Sequence, residues 1–192
     1  MNIAGLILAA GESKRMGTAK ALLDLRGETF LDRLIRVFSD FCQPVVVVVG
    51  CDAARIEAAV TRPEPVIFVE NKDYRRGQLS SMQCGLRAIP ESAEGVLFTL
   101  VDHPNVRPAT IEALLQPPMP LLAIPRFEEQ RGHPILFSRT VIRELLALAP
   151  DSQAKSVVRP HYKDARWVDL DDPGILDDVD DPAAYRRLLE TA

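Results

Sequence analysis

Apolar residues fall into two rhythms along this chain. Three short continuous runs, residues 3–10, 44–50 and 95–101, are bounded by Gly, Pro or Asp. Unbroken apolarity over so few residues predicts strands buried on both faces, the pattern of central strands in a parallel sheet. Between these runs, residues 30–41 carry Leu31, Leu34, Ile35 and Phe38, and residues 52–60 carry Ile56, Ala59 and Val60. Spacing of three and four residues lines one face of a helix. Residues 66–70 read as another strand, 79–88 as a helix, and 109–115 as a helix started after Pro108. The β-α-β-α-β alternation predicts an α/β fold of three layers, doubly wound around a mostly parallel sheet.

The rhythm is less regular beyond residue 116. Pro117-Pro118-Met119-Pro120 makes a rigid link, and residues 121–125 and 132–137 read as strands expected to include antiparallel geometry. Residues 141–148 form an amphipathic helix, 167–170 a short strand, and 182–189 a helix with Pro182 in its first turn. No repeat, low-complexity tract or disordered tail is evident. A length of 192 residues suits one core rather than two, so a single domain over residues 1–192 is expected.

Charge and cysteine content narrow the classes of function. The 23 basic and 27 acidic residues are mixed along the chain, so no basic arm offers itself to nucleic acid. Cys42, Cys51 and Cys84 are odd in number, lack C-x-x-C spacing and sit in or beside apolar segments. They read as reduced, buried thiols of a cytosolic protein rather than as a disulfide framework or a zinc site. No segment reaches the roughly 20 apolar residues that cross a bilayer, and no cationic region precedes the first apolar run. A cytoplasmic location away from membranes is therefore expected.

The candidate chemistry begins where the first strand ends, in Leu8-Ala9-Ala10-Gly11-Glu12-Ser13-Lys14-Arg15-Met16-Gly17, with Lys20 three residues on. Ligands of open α/β sheets bind beyond the carboxyl ends of strands, so this loop lies where a nucleotide would sit. Ala9, Ala10 and Gly11 permit close backbone approach, while backbone N–H groups, Arg15 and Lys20 can meet phosphates. Neither G-x-G-x-x-G nor G-x-x-x-x-G-K-[ST] is present, which speaks against a dinucleotide-dependent oxidoreductase and a P-loop enzyme. A solvated strand-to-helix turn is the plain alternative.

Asp102 ends the third apolar run and precedes Pro104, so its carboxylate is expected at the same sheet edge. Magnesium takes one or two carboxylates plus substrate phosphates, and Asp178 or Asp180 could supply the second. The alternatives are a helix cap for Asp102 and a solvated acidic turn for residues 177–181. Gly77 to Ser81 opens a helix whose N–H groups, with the hydroxyls of Ser80 and Ser81, could bind a base or phosphate oxygens; a capping serine is the plain reading. His133, in Arg131-Gly132-His133-Pro134, precedes a strand, and a structural histidine is an equal alternative; His161 reads as a surface residue.

Residues 8–20 resemble the signature L-A-A-G-x-S-x-R-M-G-x-x-K of the nucleotidyltransferases that include the molybdenum cofactor cytidylyl- and guanylyltransferases. Every fixed position is filled. Asn71 with Gly77-Gln78-Leu79-Ser80-Ser81, Val101-Asp102-His103-Pro104, Gly132 to Phe137 and Asp178-Val179-Asp180-Asp181-Pro182 follow in the family's order. The resemblance implies a Mg²⁺-dependent nucleotidyltransferase with Arg15, Lys20 and Asp102 as catalytic groups. Its D-x-D-x-P pattern makes Asp180 the second metal ligand beside Asp102. It further implies nucleotide contacts from Leu8, Ala9, Ala10, Gly11, Arg15, Lys20, Asn71, Gly77, Ser80 and Ser81, and an acceptor pocket at Gly132, His133 and Pro134.

The nucleotide half would span about residues 1–105 and the acceptor half about 106–192. Guanylyl-transferring members usually carry L-A-G-G, so Ala9-Ala10-Gly11 points to CTP, with molybdopterin as acceptor and transient contact with molybdoenzymes that receive the product. A guanylyltransferase, a sugar-phosphate nucleotidyltransferase and a catalytically silent binding or cofactor-chaperone module are the alternatives. His103 departs from the family, which more often has Met or Gln there.

Overall fold

The structure, a computed structural model, describes residues 1–61, 65–149 and 152–191. In chain order, β1 (Ile3–Ala9) is followed by a small hairpin, β2 (Asp24–Leu25) and β3 (Glu28–Thr29). Then come α1 (Phe30–Ser39), β4 (Val45–Val49), α2 (Ala53–Ala59), β5 (Val66–Glu70), α3 (Gln78–Ala88) and β6 (Gly95–Leu100). The later elements are α4 (Pro108–Leu114), β7 (Leu122–Phe127), β8 (Gln130–Arg131), β9 (Ile135–Ser138), α5 (Arg139–Ala147), α6 (Lys155–Val158), β10 (Arg166–Asp169) and α7 (Pro182–Thr191).

One mixed sheet runs in the order β10-β7-β9-β6-β1-β4-β5, with β8 paired to β7. β4, β1 and β6 are parallel neighbours, with Gly5 opposite Val45 and Ile3 opposite Gly95. β9 runs antiparallel to both β6 and β7, which returns β7 and β10 to the direction of β1. The carboxyl ends of β1, β4, β5, β6, β7 and β10 therefore share one edge of the sheet, as the apolar runs and the expected antiparallel pair predict.

Alternate residues of β1 feed two cores. Ile3 and Ile7 pack with α1, α4 and α7 on one face, while Ala4, Leu6 and Leu8 pack with α3, α5 and α6 on the other. β1 and β4 are buried at every position, which explains why their sequences show no alternation. α1 starts where the Thr29 hydroxyl accepts the Asp32 amide at 3.0 Å, and it buries Leu31, Leu34, Ile35 and Phe38 as its spacing predicts. Cys42 is buried, and burial pushes its thiol up to about 12; Cys51, just past β4, and Cys84, within α3, are only half-buried. Among the described residues no helix is long and apolar enough to cross a membrane.

α3 lies close on the sheet at Gly85, where an added Cβ would stand 2.4 Å from Leu6 Cδ1 and 2.6 Å from Val48 Cγ2. Both neighbours are fully buried and have nowhere to retreat. Gly85→Ala is expected to cost about 1–3 kcal/mol of stability through overpacking, after any gain in helix propensity. A urea midpoint equal to or above that of the parent would refute this account of the contact.

Candidate active site

The loop after β1 is shaped by its own hydrogen bonds. Ser13 sits at φ 48° and Gly17 at φ 70°, and the Ser13 carbonyl accepts the amides of Met16 at 2.9 Å and Gly17 at 3.2 Å. The Ser13 hydroxyl then accepts the Lys20 amide at 3.1 Å. That bond sets the start of the short 3₁₀ turn Lys20–Leu22 and carries the Lys20 side chain inward, where only 12% of it is exposed.

Lys20 Nζ donates to Asp102 Oδ2 at 2.9 Å and to Asp180 Oδ1 at 2.5 Å. Arg15, mostly exposed, donates to the other oxygen of Asp180 at 3.1 Å. Burial works against the charge on Lys20, but its bonds to Asp180 and Asp102 outweigh it and raise the ammonium's pKa. The same bond from Lys20 is the main reason the Asp180 carboxyl is held below its usual range. The two carboxylates meet because the Val179 amide donates to the Asp102 carbonyl at 3.0 Å, drawing the acidic stretch back to the end of β6.

A cleft of about 460 Å³ opens at this edge. It is lined by Leu8, Ala9, Ala10 and Gly11, by Arg15, Lys20, Asp102 and Asp180, and by Gly77 and Ser81 of the α3 entry. Gly77 has φ 104° and ψ 178°, a conformation that side chains disfavour, so the turn into α3 needs glycine there. Glu12, Tyr74 and Gln78 also line the cleft, and sequence reasoning had not singled them out. Glu12 could have been found by its place in the loop; Tyr74 carries no local signal.

Other expected residues stand elsewhere. Ser80 lines a separate depression with Lys72 and Arg87, because successive helix residues point about 100° apart. Asn71 is 5% exposed, and its amide donates to the hydroxyls of Ser80 and Ser81, both at 3.0 Å. Its carbonyl oxygen accepts the Asp73 amide at 3.0 Å, so Asn71 braces the α3 entry and does not line the cleft.

Gly132, His133 and Pro134 do not line the cleft either. A Cβ on Gly132 would lie 2.3 Å from the Ile175 carbonyl oxygen, and the His133 amide donates to that carbonyl at 3.0 Å. The His133 ring lies 4.4 Å from that of His103, and its Nδ1 is buried without a hydrogen-bond partner. Burial, then the neighbouring His103, pushes its pKa down to about 3, so the ring is neutral. His161 is not a free surface residue: it stands 2.7 Å from Glu144.

The residues fit a divalent cation on two grounds. Asp102 Oδ1 is buried with no hydrogen-bond partner, a costly state for an ionised oxygen without a cation. Ligand atoms of Asp102, His103 and Asp178 also lie within 4.8 Å of one another. The position between Asp102 and Asp180, which the D-x-D-x-P pattern gives to metal, holds the Lys20 ammonium.

Comparison with known proteins agrees with this architecture. The purine catabolism protein PucB of Bacillus subtilis is 29% identical over 190 residues, covering 94% of this chain and 93% of that one. The molybdenum cofactor cytidylyltransferase of Escherichia coli is 24% identical over 92% of this chain and 90% of its own. A Bacillus cytotoxicus protein named "Probable molybdenum cofactor guanylyltransferase" is 31% identical over 107 residues, 55% of this chain and 51% of that one. Among solved structures, Rv0371c of Mycobacterium tuberculosis superposes with a TM-score of 0.85 at 32% identity, each chain covered in full. The same protein in complex with manganese superposes with a TM-score of 0.79 at 30% identity, again over the whole of both chains. The MobA-like NTP transferase domain matches residues 5–166, and with the cleft lying at the carboxyl edge of that stretch's sheet, the chain belongs to this family of nucleotidyltransferases.

Proposed function

We propose that the protein transfers a nucleoside monophosphate from CTP to molybdopterin carrying its molybdenum, releasing pyrophosphate, with Mg²⁺ or a similar divalent ion. The observation that carries this reading is the charge relay Arg15–Asp180–Lys20–Asp102 beside the small-residue loop Ala9-Ala10-Gly11. An acceptor phosphate oxygen attacks the α-phosphorus; the bond from that phosphorus to the oxygen bridging the β-phosphate breaks, and pyrophosphate leaves in line. No covalent enzyme intermediate is needed, so the work is positioning and neutralisation of charge.

Lys20 and Arg15 supply fixed positive charge for the transferring and leaving phosphates. The N–H groups around Gly11 and the Ser81 hydroxyl orient the nucleotide. Asp102, with Asp180 as second carboxylate, would hold the cation, which would supply positive charge to offset that of the phosphates. For Asp180 to serve, Lys20 moves from the carboxylates to the phosphates as nucleotide enters. The manganese complex of the mycobacterial relative supports a divalent ion. Gly132, His133 and Pro134 shape the acceptor side through Ile175 and His103, and Asn71 and Ser80 act through the α3 entry. The reaction is assigned to the cytoplasm, with the product passed to molybdoenzymes.

The test is pyrophosphate release from the purified protein with Mg²⁺ and each of CTP, GTP, ATP and UTP, with and without molybdopterin. Release with CTP that requires molybdopterin is expected. Release with GTP or with a sugar phosphate instead would keep the transferase and discard this substrate pair. Tight nucleotide binding without release would replace the enzyme with a silent binding or chaperone module.

A further inference from the structure

The carboxylate of Asp102 has two sides. Its Oδ2 is held by Lys20, which also holds Asp180; its Oδ1 is buried and accepts nothing. Facing Oδ1 at 3.9 Å is Nε2 of His103, a residue 8% exposed whose other ring nitrogen, Nδ1, is buried without a hydrogen-bond partner. Asp178, exposed in the acidic stretch that the Val179 bond draws back to Asp102, completes the group: one ligand atom from each of Asp102, His103 and Asp178 lies within 4.8 Å of the others.

Two donors on one metal ion, with bonds of about 2.1 Å, stand roughly 3.4 to 4.2 Å apart for tetrahedral to opposed arrangements. The 3.9 Å gap falls in that range. Across it, a buried carboxylate oxygen without a hydrogen-bond partner faces an imidazole nitrogen of a residue that is itself buried.

We infer that Asp102 Oδ1, His103 and Asp178 form a site for a divalent first-row transition ion, separate from the Lys20-filled position between Asp102 and Asp180 and able to fill before nucleotide arrives. An imidazole nitrogen beside two carboxylates favours Mn²⁺, Co²⁺ or Zn²⁺ over Mg²⁺, which prefers oxygen donors and keeps its waters. The His133 ring, tilted 34° with its centroid 4.4 Å from that of His103, packs against the imidazole. His103, the residue that departs from the family's usual Met or Gln, thereby acquires a role. The proposed site extends the transferase reading, and its use in the reaction rests on that reading; its occupancy does not.

The experiment is Mn²⁺ titration of the nucleotide-free protein followed by electron paramagnetic resonance, with electron spin echo detection of ¹⁴N coupling. One Mn²⁺ per chain with a ¹⁴N coupling is expected. His103→Gln should abolish the coupling and weaken binding by about tenfold or more, and Asp178→Asn, at an exposed position that does not endanger folding, by a similar factor. Asp180→Asn should bind Mn²⁺ with the coupling intact. Mn²⁺ bound without ¹⁴N coupling, or bound only when nucleotide is present, would overturn the inference. If Mg²⁺ still supports pyrophosphate release in that case, the transferase reading survives alone; ¹⁴N-coupled Mn²⁺ without turnover on any nucleotide would leave the site standing and remove the transferase.

Discussion

Lys20→Ala is expected to lower nucleotidyl transfer by about a hundredfold or more, equivalent to roughly 3 kcal/mol of transition-state stabilisation. The side chain carries an ammonium that touches both Asp102 and Asp180 of the cleft, so its loss removes fixed positive charge from both. Arg15→Ala should follow in direction with a smaller loss, since that guanidinium is largely exposed and pairs with Asp180 alone among the described residues. Pyrophosphate release by the purified variants decides the matter, and near-parental turnover in Lys20→Ala would remove Lys20 from the chemistry.

The same variant has a second, independent readout. In the parent, Lys20 holds the Asp180 carboxyl below its ordinary 3.8. A depressed folded-state value gives stability that is present above the unfolded value and lost as pH falls through the folded one. The stability gap between parent and Lys20→Ala is therefore expected to be full at neutral pH and to close as acid titrates Asp180 below pH 3.8. Thermal unfolding across that window tests it, and a gap that widens in acid would contradict the assignment.

Asp102→Asn should have the largest effect on turnover, a loss of about a thousandfold or more. Asparagine keeps the shape and leaves the Val179 bond to the Asp102 carbonyl untouched, so the backbone that closes the cleft survives. What disappears is the charge that orients Lys20 through Oδ2 and the buried Oδ1 that would accept a cation. Circular dichroism matching the parent, with pyrophosphate release near background, is the expected pair of results. Activity above a tenth of the parent's would show that Asp102 is structural.

Much of this was legible beforehand because the relevant signals are local. Residues 3–10 read as a buried strand from their unbroken apolarity, and the loop that follows lines the cleft as its place after that strand predicts. Asp102 was readable as the polar end of another such run. Partnerships across the chain were not. Lys20 and Asp180 are 160 residues apart, and no periodicity announces that an ammonium stands where two acidic motifs suggest a metal. Ser80 and Ser81 are chemically identical, and only the phase of α3 sends one to the cleft and the other away. Gly132-His133-Pro134 looks like a loop motif at the correct sheet edge, yet packing against Ile175 turns it inward. β2, β3 and β8 have two residues each and leave no pattern to read.

The hydrogen bond from Val179 to the end of β6 also bears on how the molecule is made. Among the described residues every strand of the large sheet lies between Ile3 and Asp169, so all of them are synthesised before Asp180. Until then Lys20 has one carboxylate partner instead of two. The charged centre is thus finished late in synthesis, and a chain interrupted just after β10 would lack both Asp180 and the α7 face that covers Ile3 and Ile7.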